Sequence, residues 1–176
     1  MESITRFVTA KLKLKANQAK SAVAQPRDRK FLGFSFTAGK QPRRRIAPKA
    51  ILRFKEQIRE LTCRTRGISM EQRVKELSAY LRGWRGYFGL CQTPSTLYSL
   101  DQWVRRRLRS VIWKQWKRGS TRFGELRKRG IGRDLPAQTA GSPHGPWRIA
   151  NSPALCLALP NVYFDSLAIP CLTASY

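Results

Sequence analysis

Apolar residues recur at spacings of three and four over three long stretches of the chain, the repeat of amphipathic helices. Ile51, Phe54, Ile58 and Leu61 form the first stripe. It opens behind Pro48, a residue suited to a helix's first turn, and closes before Gly67. Ser69 and Gln72 make an S-x-x-Q capping box at the head of the second, whose stripe is Val74, Leu77, Leu81, Trp84 and Phe88. Thr93-Pro94 starts the third, with Leu97, Leu100, Val104, Leu108 and Val111 in line, and the spacing predicts a helix running to Gly119. Three such helices with short connections predict a bundle.

The flanks read differently. At the N-terminus, Ile4, Phe7, Val8, Leu12 and Leu14 form a short amphipathic pattern that runs into a Lys-rich stretch. Pro26 then precedes Lys30-Phe31-Leu32-Gly33-Phe34-Ser35-Phe36-Thr37, where aromatic residues alternate with small ones, a strand pattern. Gly39 to Pro42 is a hairpin turn, followed by Arg43-Arg44-Arg45. Beyond Gly119 the period weakens into a short basic helix at about 121–129 and a Pro/Gly-rich stretch over 136–146. Ser152-Pro153 starts a short apolar helix, and Tyr163, Phe164, Leu167 and Ile169 supply apolar groups able to pack back on the bundle. The fold class expected is mainly α: a three-helix bundle with a short N-terminal β-hairpin and small C-terminal helices.

Charge changes the picture. Among 176 residues, 35 Lys+Arg stand against 10 Asp+Glu, a formal net charge of +25. Such a surface repels itself when compact, and polyanions are its natural partners. His144 is the sole histidine. Cys63, Cys91, Cys156 and Cys171 are scattered without a C-x-x-C, so neither a zinc site nor a disulfide framework is expected, but reduced thiols in a cytoplasmic protein. The longest apolar run, Ala154 to Leu159, is closed by Pro153 and Pro160, so no membrane span is expected. The basic, acid-poor first thirty residues imitate an import presequence.

The third helix repays projection at 100° per residue. With Val104 at 0°, Arg106 falls near ~200°, Arg109 near ~140°, Trp113 near ~180°, Trp116 near ~120° and Lys117 near ~220°. Two tryptophans thus share the basic side, opposite the apolar stripe. One reading makes them stacking groups for unpaired bases, with Arg105, Arg106, Arg107, Arg109, Lys114, Lys117 and Arg118 on phosphates. The other buries Trp113 and Trp116 against the C-terminal segment. On the second helix, Gly83, Gly86 and Gly89 lie three apart beside Arg82 and Arg85, further candidate phosphate contacts. Either a partner helix or an RNA backbone approaches the glycines, or the helix ends early there. Arg43, Arg44 and Arg45 form a second basic cluster beside the hairpin. The sequence holds no P-loop, HExxH or G-x-S-x-G, and no aspartate pair placed for two metals, so no catalytic residue is assigned.

Lys30-Phe31-Leu32-Gly33-Phe34 with the arginines behind it resembles the last block of group II intron reverse transcriptases, a hairpin at the palm–thumb junction that grips the primer. Leu81 to Phe88 (LRGWRGYF), Leu100 to Arg109 (LDQWVRRRLR) and Trp113 to Lys117 (WKQWK) resemble the maturase-specific domain X, the thumb. Gly145 to Ile149 and Ser152 to Leu155 are similar to the distal part of bacterial members, and Leu14 through Lys20-Ser21 to the preceding palm block. The resemblance implies a palm remnant at 1–42 with primer-grip-like Phe31, Leu32, Gly33 and Phe34, a thumb at 43–119, and a basic extension at 120–176. It makes the presequence-like start a palm helix. It implies binding to group II intron RNA and help with its splicing, with DNA or an RNA–DNA duplex as a further partner. The family's Tyr-x-Asp-Asp motif is absent from this sequence, so polymerase activity is not carried over unless another chain supplies a palm. Magnesium would belong to that palm and to the RNA, and no cofactor is expected here. A general nucleic-acid-binding module and a remnant without function are the other readings.

Overall fold

In the computed structural model, residues 2–15, 17, 24–25, 27 and 29–173 are described. The chain is mainly helical with one two-stranded antiparallel hairpin. The palm-like stretch reaching Lys20-Ser21, and Pro26, lie largely outside the described residues. Helix α1 (Glu2–Leu12) carries the N-terminal amphipathic pattern but buries none of it, leaving Ile4, Phe7 and Leu12 exposed.

The hairpin pairs β1 (Phe34–Phe36) with β2 (Arg44–Ile46), register Phe34 to Ile46. Arg44 and Arg45 are thus strand residues rather than a cluster beside the hairpin, which spans position 42. Ile46 turns inward, and Phe34 packs on Tyr87 and Phe88 at ring separations of 6.0 and 5.3 Å. Gly33 makes this close approach possible. Its φ is +77°, and a Cβ there would lie 3.0 Å from the Phe88 ring.

Helices α2 (Pro48–Leu61) and α3 (Met70–Phe88) form where the periodicity places them. Ser69 caps α3 by accepting the Gln72 backbone N–H at 3.1 Å, but the Gln72 side chain donates forward to Glu76, so only half the capping box forms. The helix runs unbroken through Gly83 and Gly86 and is C-capped by Gly89, the last of the three glycines. Apart from the flanking residues and the helix's own backbone, no described atom lies within 4 Å of a Cβ placed at Gly83 or Gly86, so no described partner helix approaches them.

Helix α4 (Pro94–Gln115) stops short of the expected Gly119. Lys117 turns into the left-handed region at φ +36°, which carries the chain into α5 (Gly119–Lys128). Helix α5 closes in a Schellman motif: Gly130, at φ +80°, donates its N–H to Arg127, Ile131 donates to Leu126, and the Ile131 side chain is buried. Helix α6 (Asp134–Ala140) occupies much of the stretch read as Pro/Gly-rich connection. Pro136 permits it because in a first turn its missing N–H has no helical partner to lose. Helices α7 (Pro146–Ile149), α8 (Pro153–Ala158) and α9 (Asn161–Ser166) follow, α8 capped by Ser152.

One core joins the hairpin to the helices that follow it. Phe54 and Ile58 of α2, Leu77, Leu81 and Trp84 of α3, and Leu100, Val104 and Leu108 of α4 meet on one side of α4. Leu126, Ile149, Leu155, Leu159, Phe164, Ile169 and Leu172 extend the same cluster beyond it, so the tail packs back as its apolar residues suggest. Helix α4 is therefore buried on two sides.

Candidate nucleic-acid interface

The second buried side of α4 is the one that projection assigns to the basic residues. Trp113 is 1% exposed and Trp116 is 9% exposed. They meet edge to face at 5.9 Å, Arg122 lies 4.7 Å over Trp113, and Arg129 lies 5.0 Å over Trp116. Residues 119–173 cover them, so neither ring is presented for base stacking, and the burial alternative holds. With α4 ending at Gln115, Lys117 and Arg118 leave its face, although both are exposed, as is Lys114.

The arginines are also largely committed. Arg105, 3% exposed, donates Nε–H to Asp101 at 2.9 Å, Nη2–H to Asp165 at 3.0 Å and Nη1–H to the Asn161 carbonyl at 3.3 Å. Burial works against its charge, but the hydrogen bonds and charges of Asp101 and Asp165 outweigh it and hold the guanidinium more firmly protonated than usual. Asp101 in turn accepts the Leu172 N–H at 3.2 Å, fastening the C-terminal segment to α4. Arg109 donates to the Leu159 carbonyl at 2.9 Å, and burial lowers its pKa. Arg107 donates to Thr62 Oγ1 at 3.0 Å and to the Arg59 carbonyl at 3.3 Å, at the C-terminal end of α2 where cations are favoured.

What remains at the surface is a different aromatic pair. Trp103, half-buried, has Lys55 Nζ 5.8 Å, Arg59 5.7 Å and Arg107 5.8 Å from its ring centroid. Trp147, 37% exposed, has Arg106 at 4.1 Å and Arg107 at 6.0 Å, and its carbonyl accepts from Arg106 Nη2 at 3.1 Å. Helices α2, α4 and α7 thus assemble an array of two indoles and four cations. None of the described ion pairs involves Lys55, Arg59, Arg106 or Arg107, so no described carboxylate offsets their charge; Arg59 is exposed and the other three are partly so. Projection of α4 carried a signal for Trp103: it falls near ~260°, between Arg106 at ~200° and Arg107 at ~300°. Lys55, Arg59 and Trp147 join only through tertiary packing.

The other expected residues lie apart from this array. Arg82 and Arg85 flank the open glycine face of α3. Arg43, Arg44 and Arg45 are exposed on the hairpin, with Arg45 Nε donating to Ser35 at 3.0 Å. Of the primer-grip-like residues, Phe31 and Leu32 are exposed, while Gly33 and Phe34 dock the hairpin on α3. Beneath them runs a groove of about 470 Å³, floored by Tyr80, Trp84, Tyr87 and Phe88 and edged by Lys30, Lys49 and Arg53. Among the described residues no cluster of three His, Cys, Asp or Glu is placed to hold a metal ion, and no helix is long and apolar enough to cross a membrane.

Residues 51–130 match the family model of the group II intron maturase-specific domain. The chain carries a maturase-specific domain. No curated protein matches the sequence significantly. The maturase domain so delimited begins in the first turn of α2 and ends at Gly130, the glycine that closes α5, and covers a little under half of the chain. It includes Lys55, Arg59, Trp103, Arg106 and Arg107 and stops short of Trp147. The maturase domain's own α4 and α5 are packed on by the segment that follows, and the match over 51–130 supports a maturase-related role.

Proposed function

We propose that this chain binds group II intron RNA and assists its splicing, the RNA itself performing the chemistry. The observation that carries this reading is the array of Lys55, Arg59, Trp103, Arg106, Arg107 and Trp147 on a maturase domain in a chain of net charge +25. Cations within ~6 Å of indole rings keep those rings oriented at the surface, and the same groups serve phosphates and unpaired bases. The hairpin arginines and the groove edged by Lys30, Lys49 and Arg53 form a second contact, suited to a duplex backbone.

The test is salt-titrated binding of the intron RNA encoded around the gene, with an unrelated folded RNA of equal length as competitor. The double variant Arg59→Glu, Trp147→Ala is expected to lose about tenfold in affinity and to flatten the dependence of log K on log salt by about one unit. An unchanged slope moves the interface to another face. Equal binding of both RNAs reduces the function to general nucleic-acid binding.

A further inference from the structure

Between α4 and the segment α7–α9 lies a cavity of about 390 Å³, within the range of small-molecule sites. Arg106 and Arg109 line it from α4, Trp103 forms part of its wall, and the amide-bearing residues Gln102, Asn151 and Asn161 line it too.

The charge balance of this cavity is uneven. Arg105, which also reaches it, is neutralised by Asp101 and Asp165. Arg106 and Arg109, one helical turn apart, each spend a hydrogen bond on a backbone carbonyl, and no described carboxylate pairs with either. Arg106 Nε is buried with no hydrogen-bond partner. Two neighbouring guanidiniums without a carboxylate, one of them carrying an unsatisfied N–H, are costly unless an anion offsets their charge. Phosphate oxygens match guanidinium donors in geometry and charge. The amides offer both donors and acceptors, the complement of a base edge, and an indole wall offers a stacking plane.

We propose that this cavity receives a single unpaired nucleotide of the bound RNA, its phosphate on Arg106 and Arg109, its base against Trp103 and the amides of Asn151 and Asn161. The inference rests on the RNA-binding reading above and adds to it a recognition pocket for one extruded base. It makes a bulge or a loop nucleotide, rather than continuous duplex, the feature the protein distinguishes.

The experiment uses the full chain and two RNA hairpins that differ by one bulged 4-thiouridine. The bulged hairpin should bind about tenfold tighter than the flush one. On irradiation the 4-thiouridine should crosslink to a peptide containing Trp103 or Asn151. Asn151→Leu, at an exposed position, should abolish the preference while leaving the flush hairpin's affinity in place, and Asn161→Ala, also exposed, should reduce it. Equal affinity of the wild type for the two hairpins overturns the pocket and leaves the RNA reading standing. A preference that survives Asn151→Leu unchanged, with crosslinks elsewhere, overturns its location. Failure of both hairpins to bind overturns both conclusions.

Discussion

Arg105 shows how one residue can be assigned by charge and decided by burial. It sits in a run of arginines that reads as a phosphate-binding face, yet its fork is filled by Asp101, Asp165 and the Asn161 carbonyl. Arg105→Ala leaves Asp101, 8% exposed, without its charged partner and should cost about 3–5 kcal/mol, read as a lower denaturant midpoint at unchanged slope. Glu125 is a second case. Hydrogen bonds from Arg129 and Lys128 lower its pKa from the ordinary carboxylate value. A carboxylate whose folded pKa is depressed stabilises above its unfolded pKa, and that contribution fades as pH falls through the folded value. Stability should therefore drop on acidification below the usual carboxylate range, and Glu125→Gln should weaken that dependence, measured as the melting temperature against pH.

At the scale of elements, α3 carries a contradiction between propensity and structure. Gly83 and Gly86 sit inside an intact helix at exposed positions with open space where side chains would be. Alanine at each should stabilise the protein by about 1 kcal/mol, seen by thermal denaturation, because it removes backbone entropy without a clash. A more stable variant that binds RNA less well would mark this face as one an RNA backbone approaches. Gly33 behaves oppositely. Its positive φ, and the Phe88 ring 3.0 Å from where a Cβ would stand, make Gly33→Ala destabilising, with the hairpin's amide protection lost before that of the helices in hydrogen exchange.

For the whole molecule, the continuity of the core across Gly119 governs what a fragment can do. The matched segment 51–130 contains Trp113, Trp116 and Leu126, whose cover includes groups from residues 131–173. Expressed alone, 51–130 should expose these rings and associate or lose fixed tertiary structure, visible as a broadened gel-filtration profile and a weakened near-ultraviolet signal. The full chain should remain monodisperse under the same conditions. The tail shares the core of the matched segment, and Trp147 brings it to the same surface as Arg106 and Arg107.

The residues alone were sufficient to place the three long helices, the hairpin and the basic character of the chain. Periodic burial, proline in first turns and the Ser69 cap are local rules, read within a few residues of one another. The same holds for the motifs LRGWRGYF and WKQWK, which point to the maturase-specific domain without any structure. Which tryptophans face solvent was decided only by packing. Helical projection shows that Trp113 and Trp116 lie opposite the first apolar stripe, but a helix buried on two sides has no solvent face there. What covers α4 comes from Leu126, Phe164 and Leu172, and the contact of Leu172 with Asp101 spans 71 residues of sequence. Charge obeyed the same division: its sum is a property of composition, whereas the pairing of Arg105 and the exposure of Arg59 beside Trp103 depend on which helices meet.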